Sequence, residues 1–550
     1  ALICGGAFAV AARPRVRVRK QPARGGAALP RAALFDDLAL ASNEALDTLE
    51  DAALHVGRLA PWLLPAEDAG PASLAGKVAD RGRRRVIVLG TGWAAHAFAK
   101  VVDLAANDVC IVSPRNYFVF TPMLAAAAVG TVEYRSILEH IRSANPTLGF
   151  YQGSCEAIDV ARHEITVRPT ASHAREVVPF KMSYDVLAVA VGLRPSSCGI
   201  PGVDKHCLFL KSIEDARAIR RRVTECFECA DLPTTTQAEC QRLLTFAVIG
   251  GGPTGCEFCG ELSDFVRNDL RKFYPRLAQL VRIVLVHRGA AILSSFGREL
   301  QEAARETLLS QGIELLTSTP VVSVSADALT VKKVDAEGKQ VKEELPCELC
   351  IWAAGQGGQD IVEALRAQLP AQREGVGAGS ASRTGCLLVD EWLRVVGVPD
   401  GSLIALGDCA QVQADGAPLP RTAQVAAQQG AYVARLLNRR YLLRWCEGAT
   451  DQAPCLPKEA GLSQLARARG RQEASPFRFL DLGRLAYLGE DQAVAEVGLG
   501  STTVSQGAGR AAFLLWRSVY LVKQVSFRNR VLVLFDWVKS KVFGRDLTRF

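Results

Sequence analysis

The sequence predicts an α/β chain built from two Rossmann-like, dinucleotide-binding-type domains, the second inserted into the first and both followed by a C-terminal amphipathic helical segment. Three observations predict it. A short β-branched strand opening through a glycine turn into a helix-forming run occurs twice, as VIVLGTGWAAHAFAK from Val86 and FAVIGGGPTGCEFCGEL from Phe246. Four further strand-like runs follow or lie between them: Val186 to Gly192, Ile283 to Val286, Glu348 to Gly355 and Ser402 to Ala410. The tail from Gly507 onward is basic and amphipathic.

The 550 residues are 49% hydrophobic and 22% charged, a globular composition that excludes a disordered or collagen-like chain. Sixteen cysteines in a chain of this length need form no disulfide scaffold, which suits a reducing compartment. The net charge of +8 is concentrated at the ends: seven basic residues and no acid from Ala1 to Arg31, and nine basic residues against two acids from Ser505 to Phe550. The body between them carries a net −6, which argues against nucleic-acid binding. Residues 1–30 read as a transit-like start, and Ala33 to Ala79 as an appended helical segment. The longest apolar stretch, Tyr117 to Val132, is broken by Pro122 and Gly130 and is too short to span a bilayer.

Gly90, Gly92 and Ala95 form one Gly-x-Gly-x-x-Gly/Ala motif, and Gly250, Gly252 and Gly255 a second, 160 residues later. In such motifs the first glycine permits the tight turn and the second lets the backbone approach a pyrophosphate. The third position allows close packing of helix on strand, with the positive helix end facing phosphate. One motif alone is weak. Two in one chain point to two dinucleotides, a bound flavin and a diffusing nicotinamide, between which a hydride passes. Asp408, at the end of the strand LIALGDCA, is placed to accept from a ribityl hydroxyl; an N-cap aspartate is the plain alternative. AVG at Ala190 to Gly192 and AAG at Ala353 to Gly355 match the strand-to-turn crossings of such flavoproteins.

At this point the chain resembles the type II NADH dehydrogenases, single-subunit alternative NADH:quinone oxidoreductases, in particular the eukaryotic organellar members. The segments that carry the resemblance are GTGWAA, SPRNYFVFTPML, GTVEYRSIL, GGGPTGCEF, GDCA and AQVAAQQG, together with the end KQVSFRNRVLVLFDWVKSKVFGRDLTRF. It covers Arg83 to Phe550. The resemblance implies FAD held by Gly90, Gly92, Ala95 and Asp408, with Arg115 of the SPRNYF segment and Gly355 among the cofactor-binding residues. It implies NADH or NADPH on the second motif, Glu257 near nicotinamide and flavin in binding or proton supply, and Gln424 and Gln428 at the quinone site. Helix-surface glutamines are the alternative for that pair.

One departure stands out. Where NADH-using members end the second strand of the nicotinamide domain in an acid, this chain has His287 and Arg288. Without the acid's repulsion, NADPH is expected to be accepted; a solvated basic turn with NADH still used is the alternative. Cys226/Cys229, Cys256/Cys259 and Cys347/Cys350 have C-x-x-C spacing, yet none follows the first glycine motif, so neither zinc nor disulfide chemistry is expected and no metal site is assigned.

In the tail, Arg510, Arg517 and Gln524 share one face of a helix, with Leu515, Val519 and Val522 opposite. A second run groups Val531, Leu534, Phe535, Val538 and Val542. Basic amphipathic helices with interface-seeking aromatics predict contact with a bilayer surface through residues 507–550; packing on the body or on a second subunit is the alternative. The expected organisation is an N-terminal extension (1–82), an FAD-binding domain in two parts (83–212 and 388–490), an inserted NAD(P)H-binding domain (213–387) and a membrane-association region (491–550). A homodimer, a membrane quinone as partner and a peripheral place on the mitochondrial inner membrane, or alternatively the thylakoid, complete the expectation. Two rivals stay open: a related FAD-dependent disulfide- or sulfide-type oxidoreductase, and a degenerate subunit of a membrane complex.

Overall fold

The computed structural model describes residues 31–59, 83–170, 177–334, 338–374, 385–413, 418–444, 453–457 and 472–548. The transit-like start, the stretch 60–79 and the Gly- and Ser-rich segment 375–384 lie outside them.

A helix α1 (Arg31–Leu59) precedes the first strand, β1 (Arg84–Leu89), which leads through Gly90 to Gly92 into helix α2 (Trp93–Val101) and then β2 (Asn107–Ser113). Strands β3 (Gly149–Asp159), β4 (Glu164–Pro169), β5 (Phe180–Ser183) and β6 (Val186–Val189) continue this domain. The chain then leaves it. Strand β7 (Cys207–Phe209), helix α3 (Ile213–Ala230), β8 (Thr245–Ile249), helix α4 (Pro253–Phe265), β9 (Arg282–Val286), helix α5 (Arg298–Ser310), β10 (Glu314–Leu316) and β11 (Leu349–Trp352) form the inserted domain. Strand β12 (Leu403–Ala405) and helix α6 (Ala423–Asn438) return to the first one.

The first sheet has the order β12-β6-β1-β2-β3-β4-β5 and the second β7-β11-β8-β9-β10, the latter parallel throughout. Parallel strands covered by helices on both faces must be apolar on both sides, and β1 and β8 bear this out: Val86 to Leu89 and Phe246 to Ile249 are buried. Burying each such side chain contributes about 1.5–3 kcal/mol. Because β7 already belongs to the second sheet, the inserted domain takes its first strand upstream of the boundary expected at 213.

The end of the chain holds an element that the sequence did not suggest. Strands β13 (Gly483–Gly489), β14 (Gln492–Leu499) and β15 (Thr502–Gly509) form an antiparallel sheet before the two tail helices, α7 (Arg510–Lys523) and α8 (Phe527–Phe543). Ser526 caps α8 by accepting from Asn529 N. Helix α1 is clasped to α6: Arg435 reaches Glu44, Asp47 and Asp51, and Arg439 pairs with Asp47. Among the described residues no helix is long and apolar enough to cross a membrane.

Candidate active site

The two glycine motifs build the same cradle twice. Gly90 N donates to Val112 O and Gly250 N to Val286 O, each at 2.9 Å, so each loop is tied to the C-terminal end of the neighbouring strand. Both glycines have positive φ, +108° and +120°. A Cβ at Gly90 would lie 2.5 Å from Ala190 O, and one at Gly250 2.7 Å from Ala353 O. The AVG and AAG crossings are therefore the partners of the two first glycines.

Above each crossing the chain leaves room. A Cβ at Gly92 or at Gly252 would meet nothing within 4 Å, and each of these glycines precedes its helix as an N-cap with no side-chain cap. The first-turn N–H groups of α2 and α4 thus face open space with the positive helix end behind them, which suits a pyrophosphate. A Cβ at Gly255 would lie 1.9 Å from Gly250 O, so α4 packs onto its own loop; in the first motif Ala95 is accommodated and fully buried. The exposed Arg115 follows β2, its backbone O accepting from the Thr91 hydroxyl at 3.3 Å, so it borders the first cradle. Gly355, φ +79°, ends the second crossing, where a Cβ would strike Ser196 O and Cys198 Sγ.

Asp408 sits on a 3-10 turn, Gly407–Cys409, immediately after β12. That turn is fixed from α6: Gly407 N donates to Gln429 Oε1 at 2.7 Å. Helix α6 in turn crosses α2 at backbone contact, since a Cβ at Gly430 would lie 2.1 Å from Ala94 O. Asp408 and the open N-terminus of α2 are brought together in this way, with Lys211 Nζ 3.8 Å from the Asp408 carboxylate. A carboxylate for hydroxyls beside a glycine-lined phosphate cradle fits FAD in the first domain.

At the second cradle, Gly251 N donates to His287 Nδ1 at 3.1 Å, so the imidazole accepts at that atom. Burial and the neighbouring Arg288 hold its pKa below the ordinary value. His287 is thus a neutral ring under the loop, and Arg288 is exposed beside it. The strand end offers no carboxylate.

Gln424 and Gln428 are engaged with the chain itself. Gln424 donates to Gly483 O and accepts from Leu482 N; Gln428 donates to Leu480 O and accepts from Leu480 N. The two amides clip the segment entering β13 onto α6, near the cradle that holds Asp408.

Glu257 is buried, 7% exposed, one turn into α4 from the second cradle. It accepts from Tyr487 N at 3.2 Å, and burial pushes its pKa up to about 8. The buried Trp516 N–H has no hydrogen-bond partner of normal geometry, yet lies close enough to draw that pKa partly back. Around this point an aromatic wall runs from Trp93, beside Gly92, through Phe120 and Tyr520 to Trp516, with ring centroids 4.6–6.0 Å apart. A carboxyl and an orphan donor among aromatic rings suit a flat carbonyl compound.

The tail helices bury Phe513, Trp516, Val533 and Trp537 in the core and carry a second set of apolar residues on their outer side. On α8 the buried residues include Asn529 and Asp536, whereas Val531, Leu534, Phe535, Val538 and Val542 are exposed, Phe535 by 63%. A groove of about 370 Å³ between α7 and α8 joins Leu521, Leu534 and Val538 to the cations Arg517 and Lys541. Among the described cysteines all are free; Cys256 and Cys259 are buried in α4, and Cys347 Sγ lies 3.4 Å from Cys350 Sγ with both pKa values driven up. No group of described side chains has the makings of a metal site.

Sequence reasoning counted Trp516 and Trp537 among the interface-seeking aromatics of the tail, whereas both rings are buried, 4% and 6% exposed, and it missed Gln429, Tyr487 and the acids following Glu257. Their one legible signal is the spacing of Glu257, Glu261 and Asp264, which puts three carboxyls on one face of a helix otherwise apolar.

The chain is similar to known proteins over most of its length. Residues 84–430 match the pyridine nucleotide-disulphide oxidoreductase family, and residues 482–546 the NDH2 C-terminal domain. The chain is 36% identical over 494 residues to the mitochondrial external alternative NADH-ubiquinone oxidoreductase of Yarrowia lipolytica, covering 86% of this chain and 81% of that protein. It is 35% identical to a mitochondrial external alternative NAD(P)H-ubiquinone oxidoreductase B1 of Solanum tuberosum, covering 85% and 90%. Among solved structures, NDH2 of Plasmodium falciparum in complex with NADH superposes with a TM-score of 0.73 at 24% identity, over 85% of this chain and 100% of that one.

Proposed function

Since the chain belongs to the type II NADH dehydrogenase family of alternative NAD(P)H–ubiquinone oxidoreductases, we propose that its two cradles and the buried carboxyl between them are the working parts of that activity. The protein is an FAD-dependent NADH:quinone oxidoreductase of mitochondria, and among the described residues no helix is long and apolar enough to cross a bilayer. The doubled contact of Gly90 with Ala190 and Gly250 with Ala353 carries the assignment of two dinucleotide sites.

Gly90, Gly92, Ala95, Arg115 and Asp408 hold FAD, which supplies hydride acceptance and two-electron donation when bound. Gly250, Gly252, Gly255 and Gly355 shape the nicotinamide site, with His287 supporting its loop. Arg288 offers a guanidinium where NADH-selective proteins place an acid, so NADPH is used beside NADH. Glu257 and the Trp516 N–H receive the carbonyl end of the quinone. Gln424 and Gln428 shape the quinone site by holding the 480–483 segment rather than by free amide groups.

Residues 507–550 lie on a lipid surface: an exposed apolar face with cations at its rim matches the headgroup plane. A homodimer is the expected assembly, to be read by sedimentation. The reading as a whole is tested anaerobically: FAD-loaded protein is titrated with NADH, then NADPH, and a short-chain ubiquinone is added. Bleaching of the flavin by both nucleotides and its return with quinone support it; a protein that binds no FAD, or is bleached without return, would overturn it.

A further inference from the structure

Helix α1 lies outside both stretches matched to known families, residues 84–430 and 482–546, and so do the two arginines that hold it, Arg435 and Arg439. Its face toward the body carries acids: Glu44, Asp47 and Asp51, spaced by three and four residues, and Asp37 two turns earlier. Leu38, Leu46 and Leu49 stay exposed. Arg435, 8% exposed, donates from Nε and one terminal nitrogen to Asp51, at 3.1 and 2.7 Å, and from the other terminal nitrogen to Glu44 at 3.3 Å. Arg439 donates to Asp47 at 2.8 Å. Toward the start of the helix, Asp37 accepts from the N–H and the hydroxyl of Ser501, at 3.1 and 2.9 Å, in the turn between β14 and β15. The helix is thus docked by ion pairs at one end and by charge-assisted hydrogen bonds at the other.

Both arginines stand in or just after the second half of α6, and the first half of that helix sets the flavin and quinone side of the site. Gln429 fixes the turn that carries Asp408 by accepting from Gly407 N, and Gln424 and Gln428 hold the 480–483 segment. Between the two arginines, Asn438 ties the same helix to the end of α2, accepting from Asp103 N at 2.7 Å and donating to Val101 O at 2.9 Å. A buried ion pair adds little net stability compared with apolar side chains of the same size, because both charges have left water. What it adds is position: a displaced partner leaves the other charge buried and uncompensated.

We propose that α1 is a brace for the flavin-to-quinone half of the reaction and that Arg435 is its positioning residue, fixing α6 so that the Asp408 turn and the 480–483 segment keep their places. The inference rests on the functional reading above. By joining α6 to the β14–β15 turn, α1 ties the flavin-binding half to the C-terminal sheet across 14 residues, from Asp37 to Asp51. These contacts fall on the flavin-binding half and on that sheet; the nicotinamide cradle at Gly250 to Gly255 is not among them. Loss of the brace therefore acts on flavin retention and quinone binding and spares hydride delivery from NADH.

The test uses the full chain carrying Arg435→Leu together with Asp51→Leu, which replaces the buried pair by apolar side chains and leaves the melting temperature within about 3 °C of the parent. In FAD-loaded protein, flavin reduction by NADH stays within about twofold, KM for a short-chain ubiquinone rises about fivefold or more with little change in kcat, and FAD is released about fivefold faster on dilution. Arg435→Lys, which keeps a cation opposite Asp51, gives intermediate values. Hydrogen exchange reads the brace without any cofactor: the amides of Gly407, Leu480 and Leu482, which donate to the glutamines of α6, exchange about tenfold faster in the double variant, and those of β8 do not change. Should the double variant fail to fold, Asp37→Asn with Ser501→Ala releases the exposed end of the brace and speeds the same amides severalfold. Parent-like quinone KM, flavin release and exchange in the folded variants overturn the proposal, as do equal losses for NADH and quinone, which mark general loosening. If exchange rises as expected while the parent itself passes no electrons to quinone, the functional reading fails and the brace stands.

Discussion

Gln428 binds both polar groups of Leu480, donating from Nε2 to its carbonyl and accepting from its N–H at Oε1, each at 2.9 Å. A side-chain amide thus stands in for a neighbouring strand and pins the passage from the flavin-binding half to the C-terminal sheet. Gln428→Leu leaves both backbone groups unpaired and costs on the order of 1–3 kcal/mol. The midpoint of thermal unfolding falls, and KM for quinone rises severalfold. Gln428→Glu keeps the acceptor alone and gives an intermediate loss. An unchanged melting point in both variants would refute the clip.

The paired glycines separate the two cofactor sites. At Gly90 and Gly250 an alanine would have to adopt positive φ and push against a carbonyl oxygen less than 3 Å away. Such strain costs roughly 1–3 kcal/mol and opens the loop. Gly90→Ala therefore yields protein with little bound flavin. Gly250→Ala keeps the yellow colour and loses affinity for NADH at least tenfold, measured by anaerobic titration. The reverse pattern would exchange the assignments of the two motifs.

These positions were legible in the sequence because their reasons are local: a glycine that needs positive φ, an apolar run buried on both sides, an acid at the end of a strand. Glu257 and the two glutamines were found through resemblance, and what they touch could not be read from it. Tyr487 lies 230 residues from the carboxyl it meets. The sheet β13–β15 was hidden for another reason: its outer strand, TTVSQGAG, is polar and mostly exposed, and lacks the apolar alternation that marks a strand.

Glu257 makes stability depend on pH in a definite direction. Folded, its carboxyl titrates at about 8, above the ordinary value of 4.5, because burial disfavours the anion. Between those values the native state retains a proton that the unfolded chain has released, so stability falls as pH rises toward 8 and levels off above it. The slope approaches about 1.4 kcal/mol per pH unit. His96, buried and held below its ordinary 6.5, acts the opposite way at lower pH, so the window from 6.5 to 8 isolates the glutamate. Denaturant midpoints in that window decline for the parent and stay flat for Glu257→Gln. A decline of equal size in both would remove Glu257 as the cause.

Arg288 decides the treatment of a 2′-phosphate. It is exposed beside His287, whose neutral ring supports the loop without adding charge. Arg288→Glu restores an acid near the strand end and lowers kcat/KM for NADPH ten- to a hundredfold, while NADH is affected less than threefold. Equal losses for both nucleotides would place Arg288 away from the ribose.

The outward apolar face of α8 predicts how the protein meets lipid. Phe535, Leu534 and Val538 are half to two-thirds exposed, while Asn529 and Asp536 on the opposite face are buried, Asn529 donating to Leu138 O and Asp536 accepting from Glu133 N. The helix packs on the body through Asn529, Val533, Asp536 and Trp537, while the apolar residues of its other side are left for an apolar solvent. Phe535→Glu combined with Val538→Glu removes two exposed apolar side chains and adds two like charges without touching the packed side. In flotation with phosphatidylcholine vesicles containing cardiolipin, the parent rises with the lipid and the double variant stays behind. NADH turnover with a water-soluble acceptor remains within twofold, and turnover with a long-chain quinone in the vesicles drops at least tenfold. Retained flotation would assign the face to a protein contact, and a shift from dimer to monomer in the sedimentation of the double variant would identify that contact as a second copy of the chain.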